Sequence, residues 1–227
     1  MFKRIATFHS PFKEKFGIPR QAGLIEGLPG YISFEKPYDN PEAIRGLEDF
    51  DYIWIIWQSR DTATSLTVRP PRLGGNKRMG VFATRSPFRP NPLCLSCVKI
   101  HHIEQERCII HVVGADILDG TAILDIKPYI PYSDAHPAAR GGFTDNTQWQ
   151  TLNVDIPQTV AGQCTRYGIP TDILQQILSQ DPRPHFHNDP ERIYGMTYKD
   201  CEVKFRVADG TAHVLSVTEK PGKKTMC

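Results

Sequence analysis

Hydrophobic and polar residues alternate with a period of two over many short segments in the first part of the chain. This alternation, together with enrichment in β-branched residues, predicts β-strands separated by glycine and proline. The predicted strands are residues 4–8, 31–34, 52–57, 79–83, 94–101, 108–113 and 122–126. One short helix is predicted from Asn40, its cap, through Pro41 to Leu47. So many short strands favour a small closed antiparallel barrel.

The alternation is lost over residues 132–151, which are rich in the Asp, His, Pro, Gly, Thr and Asn of a surface loop. We therefore predict a boundary there, with a β-barrel domain over residues 1–150 and a smaller α+β unit over residues 151–227. The predicted fold class is mainly β, a small antiparallel β-barrel with this carboxy-terminal unit.

The smaller unit has one helix signal and one hairpin signal. Thr171 is expected to cap a helix that presents one apolar face and ends before Pro182. Strands at residues 201–207 and 213–217 follow, joined by the hairpin turn Asp209-Gly210. Residues 220–227 are expected to form a disordered tail.

Acidic residues are missing from a long internal stretch, although the net charge of the 227 residues is only +2. The 42 residues between Asp61 and Glu104 contain none, where the frequency of 25 in 227 would give about five. The basic residues of this stretch are Arg69, Arg72, Lys77, Arg78, Arg85, Arg89 and Lys99. Any affinity for nucleic acid is expected to come from this local cluster rather than from the total charge.

Neither export nor membrane insertion is expected from the sequence. The first nine residues have no apolar run of the secretory type, and the longest apolar segment, residues 52–57, is far too short to span a bilayer. Of the six cysteines only Cys94 and Cys97 have a suggestive spacing, and no second pair completes a zinc site. We expect reduced thiols, no metal and a cytoplasmic location.

The segment from Gly80 to Leu95 combines arginine with proline in a way that predicts a rigid cationic loop. Three prolines fix backbone angles and forbid helix, so Arg85 and Arg89 lose little entropy on binding a ligand. Guanidinium groups held in this way suit carboxylate or phosphate. Arg69, Arg72, Lys77 and Arg78 in the preceding loop are expected to contact a phosphate backbone.

Besides an enzyme with a cationic site, two other functions are compatible with the sequence at this point. A non-catalytic RNA-binding or metabolite-sensing barrel would use the arginine loop to bind phosphate alone. A thiol oxidoreductase would depend on Cys94 and Cys97.

Several motifs together resemble one known family. They are GVFATRSPFRPNP at residues 80–92, DGT at 119–121, DIKPY at 125–129, DPRP at 181–184, PFKEKF at 11–16 and GLEDF at 46–50. These motifs, spread over nearly the whole chain, are similar to those of the TrmO family, also called YaeB or TsaA-like.

The resemblance implies a dimeric β-barrel methyltransferase that uses S-adenosylmethionine. The family methylates the exocyclic nitrogen of threonylcarbamoyladenosine beside the anticodon of threonine tRNA. Its cofactor contacts match, in this chain, Ala22, Gly23, Leu24, Arg60, Asp61, Arg85, Leu95, Asp119, Gly120, Thr121 and Ala122. The carboxy-terminal unit, with Arg183, would help to hold the tRNA, whereas Arg89 and the preceding basic loop would face the RNA.

Methyl transfer from a sulfonium needs orientation and a proton acceptor rather than a metal. We expect Arg85 to hold the methionine carboxylate of the cofactor and Asp119 its ribose or ammonium group. Asn91 and Asp125 are candidates for the proton acceptor by their chemistry alone.

Overall fold

The amino-terminal part of the computed structural model forms a closed six-stranded barrel with antiparallel neighbours throughout. The structure describes residues 2–61, 65–70, 73, 77–147, 150–184 and 189–220. The first eight strands are β1 (Ala6–His9), β2 (Pro29–Phe34), β3 (Tyr52–Gln58), β4 (Thr67–Val68), β5 (Met79–Gly80), β6 (Leu93–Glu104), β7 (Ile109–Val113) and β8 (Thr121–Pro128). The barrel order is β1-β2-β7-β6-β3-β8, and β4 pairs with β5 outside it. The predicted barrel is confirmed.

The barrel core follows the predicted alternation. Ile53 and Ile55 on β3 are fully buried, whereas Trp54 between them faces outward and donates from Nε1 to Asp134 Oδ2 at 2.9 Å. Side chains two apart share one face of a strand, so period-two alternation fills the interior from each strand in turn.

Two local predictions need correction. Residues 79–83 are a strand only as far as Gly80, because Val81–Ala83 turn into a 3-10 helix. Helix α1 (Pro41–Ile44) is capped by Asn40, whose side chain accepts a hydrogen bond from Glu42 N at 3.0 Å, as predicted. It ends before Leu47 because Arg45 is extended and Gly46 is left-handed, with φ of 85°.

The carboxy-terminal part is a four-stranded sheet with two helices. Helix α2 (Pro131–Asp134) lies in the connection, followed by β9 (Asn153–Asp155), α3 (Gln158–Arg166), α4 (Thr171–Ser179), β10 (Tyr194–Tyr198), β11 (Cys201–Ala208) and β12 (Thr211–Glu219). The sheet order is β10-β11-β12-β9, with β9 parallel to β12. The predicted helix and hairpin are confirmed, whereas α3, β9 and β10 were not predicted. Thr171 is the first helical residue rather than the cap, a place that Pro170 occupies without a side-chain hydrogen bond.

The second core draws on the amino-terminal segment as well. Phe12, Ile25 and Leu28 are buried among residues of the carboxy-terminal helices and sheet. Lys199 donates its backbone N–H to Pro11 O at 2.6 Å. The loop between β1 and β2 therefore joins the two units. Among the described residues, no helix is long and apolar enough to cross a membrane. Of the predicted tail, residues 221–227 lie outside the described part.

Candidate functional site

Two neighbouring cavities, of 1260 Å³ and 700 Å³, lie between the β1–β2 loop and the segment that follows β5. Both are lined by Arg20, Gln21, Phe82, Thr84, Arg85 and Pro87. Because they share this wall, we treat them as the large and small lobes of one cleft. Each lobe is large enough for a small organic ligand.

The arginine loop, residues 84–92, forms much of the shared wall and is held by its own hydrogen bonds. Arg89 donates from Nη1 to Thr84 O at 3.2 Å, and its guanidinium carbon lies 5.9 Å from the ring centre of Phe82. Thr84 donates from Oγ1 to Val81 O at 2.9 Å. The rigid loop inferred from the prolines therefore has internal support, and Arg89 supplies part of it.

Arg85 differs from Arg89 because its guanidinium reaches both lobes. Its Nη1 donates to Gln21 Oε1 at 2.9 Å, and the residue is exposed. The hydrogen bond to a neutral amide leaves the positive charge available to an anionic group.

The small lobe lies at one end of the barrel, where Asp116 lines its wall. Asp116 Oδ1 accepts a hydrogen bond from Ser96 Oγ at 2.5 Å, and Ser96 Oγ accepts one from Trp57 Nε1 at 3.0 Å. The indole can only donate, so the single hydroxyl proton of Ser96 points to the carboxylate. The backbone of Ala22 adds another hydrogen bond to Asp116.

Burial raises the pKa of the Asp116 carboxyl, and the hydrogen bond from Ser96 opposes this effect only in part. A carboxyl with a raised pKa in a cleft wall can accept a proton more readily than a surface carboxyl. This residue is therefore a candidate for acid–base chemistry.

Cys94 and Cys97 do not form a redox pair. They lie three apart on β6, opposite Trp57 and Trp54, and both are free thiols. Burial raises the pKa of Cys94 to about 11, with the nearby Asp116 carboxylate adding to the shift. Such a thiol is not ionised near neutral pH and makes a poor nucleophile, which argues against an oxidoreductase.

The predicted cofactor residues occur in two groups. Leu24 lines the large lobe, Leu95 lines the small lobe and Arg85 lines both. Ala22 and Gly23 precede Leu24 in the same loop, where Gly23 N donates to Gly114 O at 2.8 Å. Three residues of this first group therefore line the cleft, and the other two adjoin Leu24 along the chain.

The second group of predicted cofactor residues lies around the turn before β8. Asp119 Oδ1 accepts a hydrogen bond from Ser10 N at 3.1 Å, and Arg60 Nη2 donates to Gly120 O at 3.3 Å. Asp61 forms an ion pair with Lys15. Thr121 and Ala122 begin β8. The residues that line the two lobes include none of this group.

The two predicted proton acceptors are not close together. Asn91 lines the small lobe. Asp125, in contrast, lies on β8, where its Oδ2 is 3.0 Å from Lys127 Nζ. It lines neither lobe, and its carboxylate is already paired with a cation.

The predicted RNA-binding residues also lie in different parts of the structure. Arg69 and Arg78 line the large lobe, and Arg78 donates from Nε to Thr67 Oγ1 at 2.8 Å. Lys77 is exposed beside Arg78, and Arg72 lies outside the described residues. Arg183 makes a two-pronged ion pair with Asp181, with donor–acceptor distances of 2.8 and 2.9 Å. Its charge is therefore balanced within the carboxy-terminal unit.

Several residues of the cleft were not found from the sequence. Arg20 lines both lobes and donates to Asp181 O at 3.3 Å, linking the cleft to the carboxy-terminal unit. Gln21 and Ser96 were also missed. The sequence does not single out Asp116 either, because no local signal shows that Ser96 lies beside it.

The fold and this site define a β-barrel protein with a two-lobed cleft, in which the guanidinium of Arg85 is part of the shared wall and the half-buried carboxyl of Asp116 lies at one end. The family model described as tRNA-methyltransferase O N-terminal domain matches residues 7–135, and that of the TrmO C-terminal domain matches residues 149–220. This chain belongs to the TrmO family.

Sequence similarity to known proteins extends over most of the chain. The tRNA (adenine(37)-N6)-methyltransferase of Escherichia coli (strain K12) is 37% identical, over 95% of this chain and 97% of that protein. The protein of the same name from Eikenella corrodens is 42% identical, over 76% and 99%. A crystal structure of TrmO from Pseudomonas aeruginosa superposes with a TM-score of 0.78 and 31% identity, covering 96% of this chain and 97% of that one.

Proposed function

We propose that this protein transfers a methyl group from S-adenosylmethionine to the exocyclic nitrogen of adenosine 37 in tRNA. The tRNA (adenine(37)-N6)-methyltransferases of Escherichia coli and Eikenella corrodens, to which this chain is similar over most of its length, support this function. Within the reaction, we propose threonylcarbamoyladenosine of threonine tRNA as the particular substrate. The observation that carries the proposal is the placement of Arg85 on the wall between two lobes, where a cofactor and a nucleotide can meet.

The residues of the cleft fit S-adenosylmethionine. The exposed guanidinium of Arg85 suits the methionine carboxylate, and apolar Leu24 and Leu95 flank it on the two lobes. We propose that Ala22 and Gly23 provide backbone contacts beside them. The turn with Asp119, Gly120, Thr121 and Ala122, together with Arg60 and Asp61, extends this cofactor region in the proposal.

The bound cofactor supplies an electrophilic methyl group with a good leaving group, so the protein must orient the nitrogen and remove its proton. We propose Asp116, rather than Asp125, as the proton acceptor. Asp116 lines the small lobe, whereas Asp125 lines neither lobe and forms an ion pair with Lys127. Asn91 is better suited to orient the substrate, because a neutral amide has no basic site near neutral pH.

Arg69 and Arg78 are proposed to bind the phosphate backbone at the large lobe, and exposed Lys77 to bind it beside them. Arg72 is proposed as a further phosphate contact on its sequence position alone. Arg89 is proposed to help through its support of the arginine loop. Arg183 would shape the nearby surface through its ion pair with Asp181 rather than bind phosphate directly.

The function is tested by incubating the full chain with methyl-labelled S-adenosylmethionine and either unmodified or threonylcarbamoylated threonine tRNA. We expect label in the RNA, at the modified adenosine, only with the threonylcarbamoylated form. Binding of tRNA and cofactor without transfer would instead support a non-catalytic binding barrel.

We further propose a cytoplasmic homodimer. Leu95 is 52% exposed on the outer face of β6 opposite Ile56, at the rim of the small lobe that it also lines, and Leu93 is exposed two residues before it in the same lobe. An apolar surface next to the cleft suits a subunit contact. Sedimentation of wild type and Leu95→Glu tests it, with a dimer expected only for the wild type.

A further inference from the structure

A cluster of side chains with metal-ligand chemistry lies on the outer wall of the barrel. Among the described residues, His102, Glu104 and His111 form one group whose ligand atoms all lie within 4.8 Å of one another. His102 and Glu104 are two apart on β6 and so share a face. His111 on β7 is the direct cross-strand partner of His102. Pairing of the two strands therefore fixes the spacing of all three groups.

The contacts within the cluster are close. His111 Nε2 lies 2.6 Å from Glu104 Oε1, and the rings of His102 and His111 stack with centres 4.0 Å apart at 9°. Around a tetrahedral ion with bonds of about 2.0–2.1 Å, neighbouring ligand atoms lie about 3.3 Å apart. To bind one ion at that spacing, the two stacked imidazole rings would tilt so that their lone pairs converge, and Glu104 would rotate with them.

Neighbouring rings limit the freedom of the two histidines. Tyr31 on β2 contacts His111 with ring centres 5.8 Å apart, and His9 on β1 stacks on Tyr31 at 4.4 Å. On the other side, Nδ1 of His101 lies 2.7 Å from Nδ1 of His102. A row of rings across four strands therefore holds the ligands in place before binding, which lowers the entropy cost.

We propose that His102, Glu104 and His111 form a binding site for a divalent transition-metal ion such as Zn²⁺. Two imidazoles and one carboxylate are ligands that zinc and its neighbours accept, whereas Mg²⁺ and Ca²⁺ prefer all-oxygen sites. Three protein ligands leave a fourth position for water. The site departs from the metal-free protein expected from sequence and is separate from the methyl-transfer cleft, since none of its residues lines either lobe.

The test is calorimetric titration of the full chain, without an affinity tag, with Zn²⁺. We expect one equivalent to bind to the wild type and His111→Ala to weaken that binding at least tenfold, because removal even of a second-shell partner commonly costs about 10–100-fold. Glu104→Gln should weaken it as well. His213→Ala is the matched control, because His213 and Asp155 make a similar His–carboxylate contact at 3.1 Å with no third ligand among the residues that the structure describes.

Thiols could also bind zinc, so the same variants are titrated with Co²⁺ and followed by absorption. Spectra of nitrogen and oxygen coordination, lost in His111→Ala but kept in His213→Ala, would support the site. Thiolate spectra, or equal zinc affinity of wild type and His111→Ala, would overturn it. Thermal unfolding without metal verifies that the variants fold. The outcome is independent of methyl transfer.

Discussion

Two aspartates show how surroundings decide the chemistry of a residue. Asp125 belongs to a distinctive motif, but it forms an ion pair with Lys127 and lines neither lobe of the cleft. Asp116 is held by Ser96 at the wall of the small lobe, where burial raises its pKa. A proton acceptor needs both access to the substrate and suitable basicity, and Asp116 has both.

Asp116→Asn should lower kcat by about 10²–10⁴-fold while the KM for S-adenosylmethionine changes little, because the amide keeps the shape but cannot accept the proton. Steady-state kinetics with saturating tRNA measure this split. Asp125→Asn tests the competing assignment, and its kcat should fall much less than that of Asp116→Asn. Asp200→Asn controls for the loss of a surface charge. A larger loss in Asp125→Asn would contradict the proposal.

The pH dependence of both the methyl-transfer rate and the stability should reflect the titration of Asp116. Its raised pKa means that the ionised acceptor forms only above the usual aspartate range, so the rate should increase as pH rises through that pKa. The same group binds a proton more readily when folded than when unfolded, so its contribution to stability falls as pH rises over that interval. Rate and urea-unfolding profiles of wild type and Asp116→Asn should differ in both respects; identical profiles would contradict the assignment.

Arg85→Ala should weaken binding of S-adenosylmethionine about 10–150-fold, the cost of losing roughly 1.5–3 kcal/mol of a charged hydrogen bond. Calorimetry measures the affinity directly. Arg45→Ala is the matched control, because Arg45 is an exposed arginine paired with Glu42 far along the chain from the cleft residues. Equal affinities in Arg85→Ala and wild type would remove Arg85 from the cofactor site.

At the scale of elements, the cleft depends on how loops are supported by strands. The arginine loop follows the 3-10 helix Val81–Ala83, at whose start Val81 N donates to Leu66 O at 2.9 Å. That contact holds the loop against the segment leading into β4. The strand predicted to continue to residue 83 stops because residues 81–83 turn into the 3-10 helix, in which Thr84 donates its backbone N–H to Val81 O at 3.2 Å.

Arg69→Ala combined with Arg78→Ala should weaken tRNA binding and reduce the slope of log affinity against log salt by about 1–2, because phosphate contacts release counterions. Binding is measured at several salt concentrations, with Arg45→Ala as the control. An unchanged slope would show that these arginines do not contact phosphate. Cofactor affinity should stay within about twofold of the wild-type value.

At the scale of the whole molecule, the predicted boundary near residue 150 divides the chain into two units, but residues from before the boundary pack in the core of the second unit. The second core includes Phe12, Ile25 and Leu28 from the β1–β2 loop, the loop that also provides Arg20 to the cleft. Folding of the carboxy-terminal unit therefore supports the cleft.

Phe12→Ala should lower the free energy of unfolding by about 3–5 kcal/mol, the usual cost of a large cavity in a core. Phe2→Ala is the matched control, because Phe2 is 75% exposed. Urea unfolding of both variants makes the comparison. A loss in Phe12→Ala no greater than in Phe2→Ala would show that the amino-terminal loop does not stabilise the second core.

The sequence by itself determined the features whose cause is local. Alternation of residues such as Ile53, Trp54 and Ile55 predicts strands, and prolines around Arg85 and Arg89 predict a stiff loop, because backbone angles and side-chain periodicity are properties of neighbouring residues. These signals were sufficient to predict the barrel and part of its cleft.

Only the tertiary structure decided which distant residues meet. Ser96 donates to Asp116, and His102 lies opposite His111, because strand register and barrel closure join segments that local patterns treat separately. Register depends on how all the strands pack at once. For that reason the motif residue Asp125 could be found from the sequence, whereas the surroundings that distinguish Asp116 could not.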